Sequence, residues 1–164
     1  MRDEFIVKRD YEREEKLKNI LLDLESRLDN GEDERTLSDK FAEANMLVST
    51  EGRIIDANLI TYYYEWTSME GLVGELTMSV PRITDFDKSE LVEFITWLRK
   101  VIHDEISLED IDFEYFTNFY HLFFEINFPY DDTLFDDVFG DMEVDALVDK
   151  MITSVQEKKN VIYL

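Results

Sequence analysis

Residues 72–80, LVGELTMSV, carry the sharpest alternation in the chain and decide the first reading of its fold. Leu72, Gly74, Leu76, Met78 and Val80 fall on one side of a two-residue repeat, with Val73, Glu75, Thr77 and Ser79 on the other. Side chains on a strand alternate with this period, so the run predicts a half-buried strand. Ser68-Met69-Glu70-Gly71 reads as the turn before it and Pro81 as its end.

The flanking sequence extends that expectation. Residues 59–66 are rich in Thr, Tyr and Ile, a strand composition, and residues 46–49 and 53–56 flank Glu51-Gly52 as the arms of a hairpin would. Downstream, Ile111, Phe113 and Tyr115 alternate with acids, and Leu122, Phe124, Ile126 and Phe128 alternate again before Pro129.

Other stretches repeat at helical spacing. Val7, Leu17, Leu21, Leu24 and Leu28, with Ile20 beside them, form a stripe within residues 1–30 that only Glu14 interrupts. Asn30-Gly31 supplies its stop signal. This helix either lies on the domain or, in the sharper reading, meets a partner or a second copy. Ser38 is placed to cap a short helix through Ala44. Leu91, Phe94, Ile95, Leu98, Val101 and Ile102 mark a middle helix from about Asp87 to His103. Val144, Leu147, Val148, Met151, Ile152 and Val155 mark a last helix from about Asp141 to Glu157, with acids at its start and Lys158-Lys159 at its end. The expectation is one acidic α+β domain over residues 1–164. An N-terminal helix fills 1–30, and a mostly antiparallel sheet of about five strands, a middle helix and a C-terminal helix fill 41–160.

Composition narrows the function. A chain of 164 residues with 45% hydrophobic and 13% aromatic residues can bury a core, unlike disordered acidic proteins. Its net charge of −22 argues against direct binding to nucleic acid or to an anionic membrane, since both select for Lys and Arg. The absence of cysteine excludes disulfides, thiolate catalysis and Cys-based zinc sites. The N-terminal run MRDEFIVKRDYEREEK lacks the apolar stretch of a secretory signal, and no run is long enough to span a membrane. A cytoplasmic location is the expectation.

The charge is also polarised. From Val101 to Asp149 the chain has no Lys or Arg and fifteen acids. The candidate partner-binding residues lie here: Asp104, Glu105, Glu109, Asp110, Asp112, Glu114, Asp131, Asp132, Asp136, Asp137, Asp141, Glu143 and Asp145. On a strand, Asp110, Asp112 and Glu114 would stand about 6.6 Å apart on one face, inside the Debye length of roughly 8 Å at physiological salt. Such closely spaced anions can stand in for a phosphate backbone. They would attract a basic partner: a nuclease, a toxin or a nucleic-acid-binding protein.

Catalytic and cofactor signatures are missing. Neither Asp136 nor Asp141 starts a calcium loop, because glycine and the closing acid are misplaced in both frames. His103 and His121 are the only histidines, and no phosphate loop or nucleophile elbow occurs. No cofactor, metal or enzymatic activity is expected. The function expected is that of an inhibitor, immunity or anti-defence protein presenting a nucleic-acid-mimicking acidic face. As the alternative, the element order resembles that of small acidic secretion chaperones, which are dimeric α+β proteins. That resemblance implies a homodimer gripping an extended client through apolar patches. Separately, the aromatics of 113–130 and Tyr62, Tyr63 and Tyr64 with Trp66 read most simply as core. Where both faces are aromatic, as at Phe123-Phe124 and Tyr62 to Tyr64, one face is open to a partner.

Overall fold

None of the expected strands forms among the described residues. The computed structural model describes the backbone of residues 1–162 and side chains as far as residue 156, so the side chains of Lys158 and Lys159 lie outside it. The α-helices in chain order are α1 (Tyr11–Asp29), α2 (Ser38–Asn45), α3 (Ala57–Tyr62), α4 (Met69–Thr77), α5 (Lys88–Ile102), α6 (Phe113–Asn127), α7 (Leu134–Phe139) and α8 (Val144–Ile162). The expected α+β class is therefore corrected to all-helical.

The physical reason is clearest in residues 72–80. Positions 72 and 76 belong to a two-residue repeat and to a helical one alike, and Gly74 discriminates against neither. Met69, Leu72, Val73 and Leu76 complete the i, i+3, i+4, i+7 stripe of a helix, and all four are buried in one cluster. Ser68 belongs to no turn between strands: its hydroxyl caps α4 by accepting the Gly71 N–H at 3.1 Å. Likewise, the two strands expected at 111–115 and 122–128 are the single helix α6. Phe116, Phe119, Tyr120, Phe123, Phe124 and Asn127 all face inward, and Asp112 caps the helix by accepting the Tyr115 N–H at 2.8 Å. Aromatic residues favour strands because they pack well on a pleated surface, and a helix that buries them serves as well. Residues 59–66 form α3 and a 3₁₀ turn, opened by Asp56, which accepts the Leu59 N–H at 2.8 Å. The expected 46–56 hairpin is a loop. Asn45 grips the backbone N–H and C=O of Ile55 (2.8 and 2.9 Å), and the Ser49 N–H donates to the Leu76 carbonyl at the end of α4.

The chain divides into two compact units, one of residues 8–79 and one joining residues 1–7 to 80–164. In the first, α1 packs on α2, α3 and α4 around Leu17, Leu21, Leu24, Leu72 and Leu76. Glu14, the one break in the α1 stripe, is itself buried. Arg9 answers it with two hydrogen bonds of 2.9 Å. Tyr63 is buried against α1, its hydroxyl donating to Glu25 at 2.7 Å. Desolvation and that carboxylate push the phenol pKa up to about 12. Val7 lies outside α1, which starts only after Asp10 accepts the Arg13 N–H.

In the other unit, α5 packs on α7 and α8, and α7 on α6 and α8. Its core is aromatic: Phe5 stacks on Phe94 with centroids 4.7 Å apart, and Phe94 meets Phe123 at 5.4 Å. Tyr120 fastens the N-terminal segment to α6, donating to the Phe5 carbonyl (2.8 Å) and accepting the Val7 N–H (3.1 Å). Asn127 fastens residues 81–83 in the same way, through the Pro81 carbonyl and the Ile83 N–H. No helix among the described residues is long and apolar enough to cross a membrane.

Candidate partner-binding surface

The thirteen candidate acids all lie in the unit of residues 1–7 and 80–164. Eleven are exposed; Asp131 and Asp137 are half-buried. They fall on three segments: the loop from α5 into α6 (104–114), the approach to and first turn of α7 (131–137), and the start of α8 (141–145).

Their spacing is not that of a strand. Asp110 and Asp112 precede α6, and Glu114 stands in its first turn. Asp145 and Asp149 on α8 are four residues apart, which brings helical side chains to about 5–6 Å. Some of these acids have a structural explanation. Asp112 is a cap, and Asp136, Asp137 and Asp145 sit in first turns, where the helix dipole favours negative charge. Asp131 accepts from the backbone and hydroxyl of Thr133 (3.1 and 2.6 Å), and Lys150 reaches it at 3.6 Å. Partial desolvation raises the Asp131 pKa, but Thr133 and Lys150 together outweigh it and hold the carboxyl below its ordinary value. Lys150 also pairs with Asp137, which raises the pKa of its ammonium.

The base-free window of sequence is thus not base-free in space. Lys150 enters from α8. Lys88 reaches Asp149 at 2.7 Å, which raises the lysine pKa. Arg99 of α5 donates to the carbonyls of Val138 (3.0 Å) and Asp137 (3.2 Å) at the end of α7. These cations were invisible to a reading by sequence window because the helices that carry them pack against it from outside.

Two of the acids break local rules. Asp104 and Glu105 close α5 in a Schellman motif: the Glu105 N–H donates to the Lys100 carbonyl (2.8 Å) and the Asp104 N–H to the Val101 carbonyl (3.1 Å). Asp104 therefore takes a left-handed φ of +58°, a position that favours glycine. Both acids stand at a helix C-terminus, where the dipole disfavours negative charge. Asp110, at φ +60°, is the other left-handed non-glycine residue of the described chain. Arg99 lies about one and a half helical turns before this point, so the 104–105 acids and the end of α7, whose carbonyls Arg99 binds, share the C-terminal end of α5.

Two hollows open beside these segments. One, of about 220 Å³, is lined by Ile106, Leu108, Ile111, Phe113 and Phe116 together with the polar Asp104 and Ser107. The other, of about 280 Å³, is lined by His121, Phe124, Glu125, Phe128, Asp132 and Phe135. His121 is exposed on α6 with its ring edge-on to Phe135 at 5.2 Å. Of the apolar members of the first hollow, Ile111 and Phe113 read in sequence as strand residues alternating with acids, and Ile106, Leu108 and Phe116 carry no signal of their own. Elsewhere, Tyr62, Tyr64 and Trp66 are exposed, whereas Phe123 and Phe124 are core. Among the described residues, no group of three or more His, Asp or Glu side chains is placed to hold a metal ion. Compared with known protein families, with curated proteins and with solved structures, the chain matches none.

Proposed function

We propose that this chain is a non-enzymatic binding protein that captures a basic protein, such as a nuclease, a toxin or a nucleic-acid-binding protein, through the acids of residues 104–145. The supporting observation is the placement of Asp104 and Glu105. Acids at helix N-termini are explained by capping and dipoles, but these two sit at the C-terminal end of α5, where the dipole opposes both and a left-handed backbone also opposes Asp104. Residues that break local rules without local benefit are expected at functional sites. Around them, most of the other candidate acids are exposed, so the surface keeps a surplus of negative charge after Lys88, Arg99 and Lys150 are counted. The unit that carries them holds 22 acids against 8 bases, the other 17 against 9. A field of that sign steers a basic cleft inward and repels nucleic acid. The likeness to secretion chaperones drew on an α+β element order, and the all-helical chain removes that ground.

The test is titration of the full chain into basic nucleases and DNA-binding proteins of its host. Stoichiometric inhibition is expected, weakening steeply with added salt and abolished when Glu105, Glu109, Asp132, Asp136 and Asp141 are reversed to lysine together. Asp112, Asp131 and Asp137 are left intact because they hold helices in place. Inhibition that survives high salt would count decisively against this reading.

A further inference from the structure

Charge alone brings a basic protein close without choosing which one, so the hollow beside the acidic loop, walled mostly by apolar side chains, carries the next step. Six acids of the α5–α6 connection, Asp104, Glu105, Glu109, Asp110, Asp112 and Glu114, are all exposed. In the same connection, Ile106, Leu108 and Ile111 are half-buried rather than covered. Phe113 is 67% exposed, its ring stacked on the buried Phe116 with centroids 6.4 Å apart. A solvated acidic loop has no need of four large apolar side chains. Here they line a hollow of about 220 Å³, below the roughly 300–1,000 Å³ of small-molecule sites and suited to one large side chain. The two left-handed aspartates, Asp104 and Asp110, bracket the segment that forms it, as strained residues do at binding loops.

Building on the basic-partner reading, we infer that this hollow is an anchor site for a basic segment of the partner protein, taking one large apolar side chain such as Leu or Phe whose Lys or Arg neighbours face the surrounding acids. Interfaces commonly concentrate affinity in this way, with a desolvated anchor at the centre and charges around the rim. The occupant follows from complementarity: most side chains around the hollow are apolar, Asp104 and Ser107 line it beside them, the surrounding acids are exposed, and its size admits a side chain rather than a helix.

The test uses the full chain and two fluorescent lysine-rich peptides that differ only in a central Leu-Phe pair, replaced by Ser-Ser in the twin. Burying one such anchor predicts binding of the Leu-Phe peptide on the order of tenfold tighter than its twin. Phe113→Ala should erase that advantage while leaving the melting temperature unchanged, because Phe113 is mostly exposed. Glu105→Lys with Glu109→Lys should weaken both peptides equally and preserve the ratio. Equal affinity for the two peptides, or an advantage that survives Phe113→Ala, overturns the anchor site while leaving the acidic reading standing. If neither peptide binds at low salt, the basic-partner reading fails and the anchor site with it.

Discussion

Asp104 and Gly31 do the same backbone task with different residues, and the difference is measurable. Gly31 ends α1 at φ +83°, with its N–H donating to the Leu28 carbonyl (3.0 Å) and the Glu32 N–H to that of Arg27 (3.1 Å). This is the same pair of bonds that closes α5, but there the left-handed position holds an aspartate. Aspartate is tolerated in that region better than most residues but less well than glycine, and Asp104 stands at the negative end of the helix dipole. Asp104→Gly should therefore stabilise the protein by about 0.5–1 kcal/mol, a rise of roughly 1–4 °C in melting temperature. It should also weaken capture of a basic partner. Thermal melts and binding titrations of the same variant check the two halves, and a destabilised Asp104→Gly would show that the aspartate makes a local contact worth more than its strain.

At the level of elements, one hydroxyl holds the backbone of the N-terminal segment, beside the packing of Phe5 on Phe94 and the Arg2–Glu90 pair. Tyr120 is fully buried, and desolvation drives its pKa well above that of a free phenol, so it stays neutral and serves both the Phe5 carbonyl and the Val7 N–H. Tyr120→Phe keeps the ring and strands both backbone groups, at a cost of about 2–6 kcal/mol given ~1–3 kcal/mol per buried unsatisfied group. Trp97 on α5 meets Tyr120 at 6.3 Å, so its fluorescence in a Trp66→Phe background reports the loss directly; an unchanged midpoint would mean that residues 1–7 are not fastened there. The helices themselves were unequally legible. The α5 and α8 stripes and the Asn30-Gly31 stop could be read because their apolar residues fit only a helical period. In α4 and α6 the apolar and aromatic residues fall so that two periods fit, and local preference chose the wrong one; burial of Phe119, Tyr120 and Phe123 on one face is a tertiary fact. Glu14 shows the reverse case. It looked like a flaw in the α1 stripe, yet Arg9 makes it part of the core.

For the whole molecule, the surplus of acids and the ion pairs pull stability in opposite directions with salt. Pairs such as Arg2–Glu90 and Lys18–Glu70 lower the carboxylate pKa values through the partner's hydrogen bond and charge. A lowered folded pKa gives stability that is complete above the ordinary value of 4.5 and is lost as pH falls through the lowered one. Lys18 and Lys88 are raised above 10.5, so their share is complete below that pH and is lost only as pH rises beyond it. Between these limits the pairs are constant, and what varies with salt is screening. Lys18–Glu70 and Lys88–Asp149 are solvent-facing and Arg2–Glu90 only partly covered, so water and salt weaken them, whereas 39 acids stand against only 17 bases. Self-repulsion should therefore outweigh the pairs at neutral pH. Raising NaCl from about 10 mM to 150 mM shortens the Debye length from roughly 30 to 8 Å and should raise the melting temperature by roughly 2–4 °C per kcal/mol of repulsion screened. The same addition should loosen the complex with a basic partner, because the field that destabilises the free chain is the one that steers its ligand. A melting temperature that falls with salt at pH 7 would show that the pairs dominate and that the acids are balanced in place, and it would take with it the premise that this surface carries uncompensated charge for a partner.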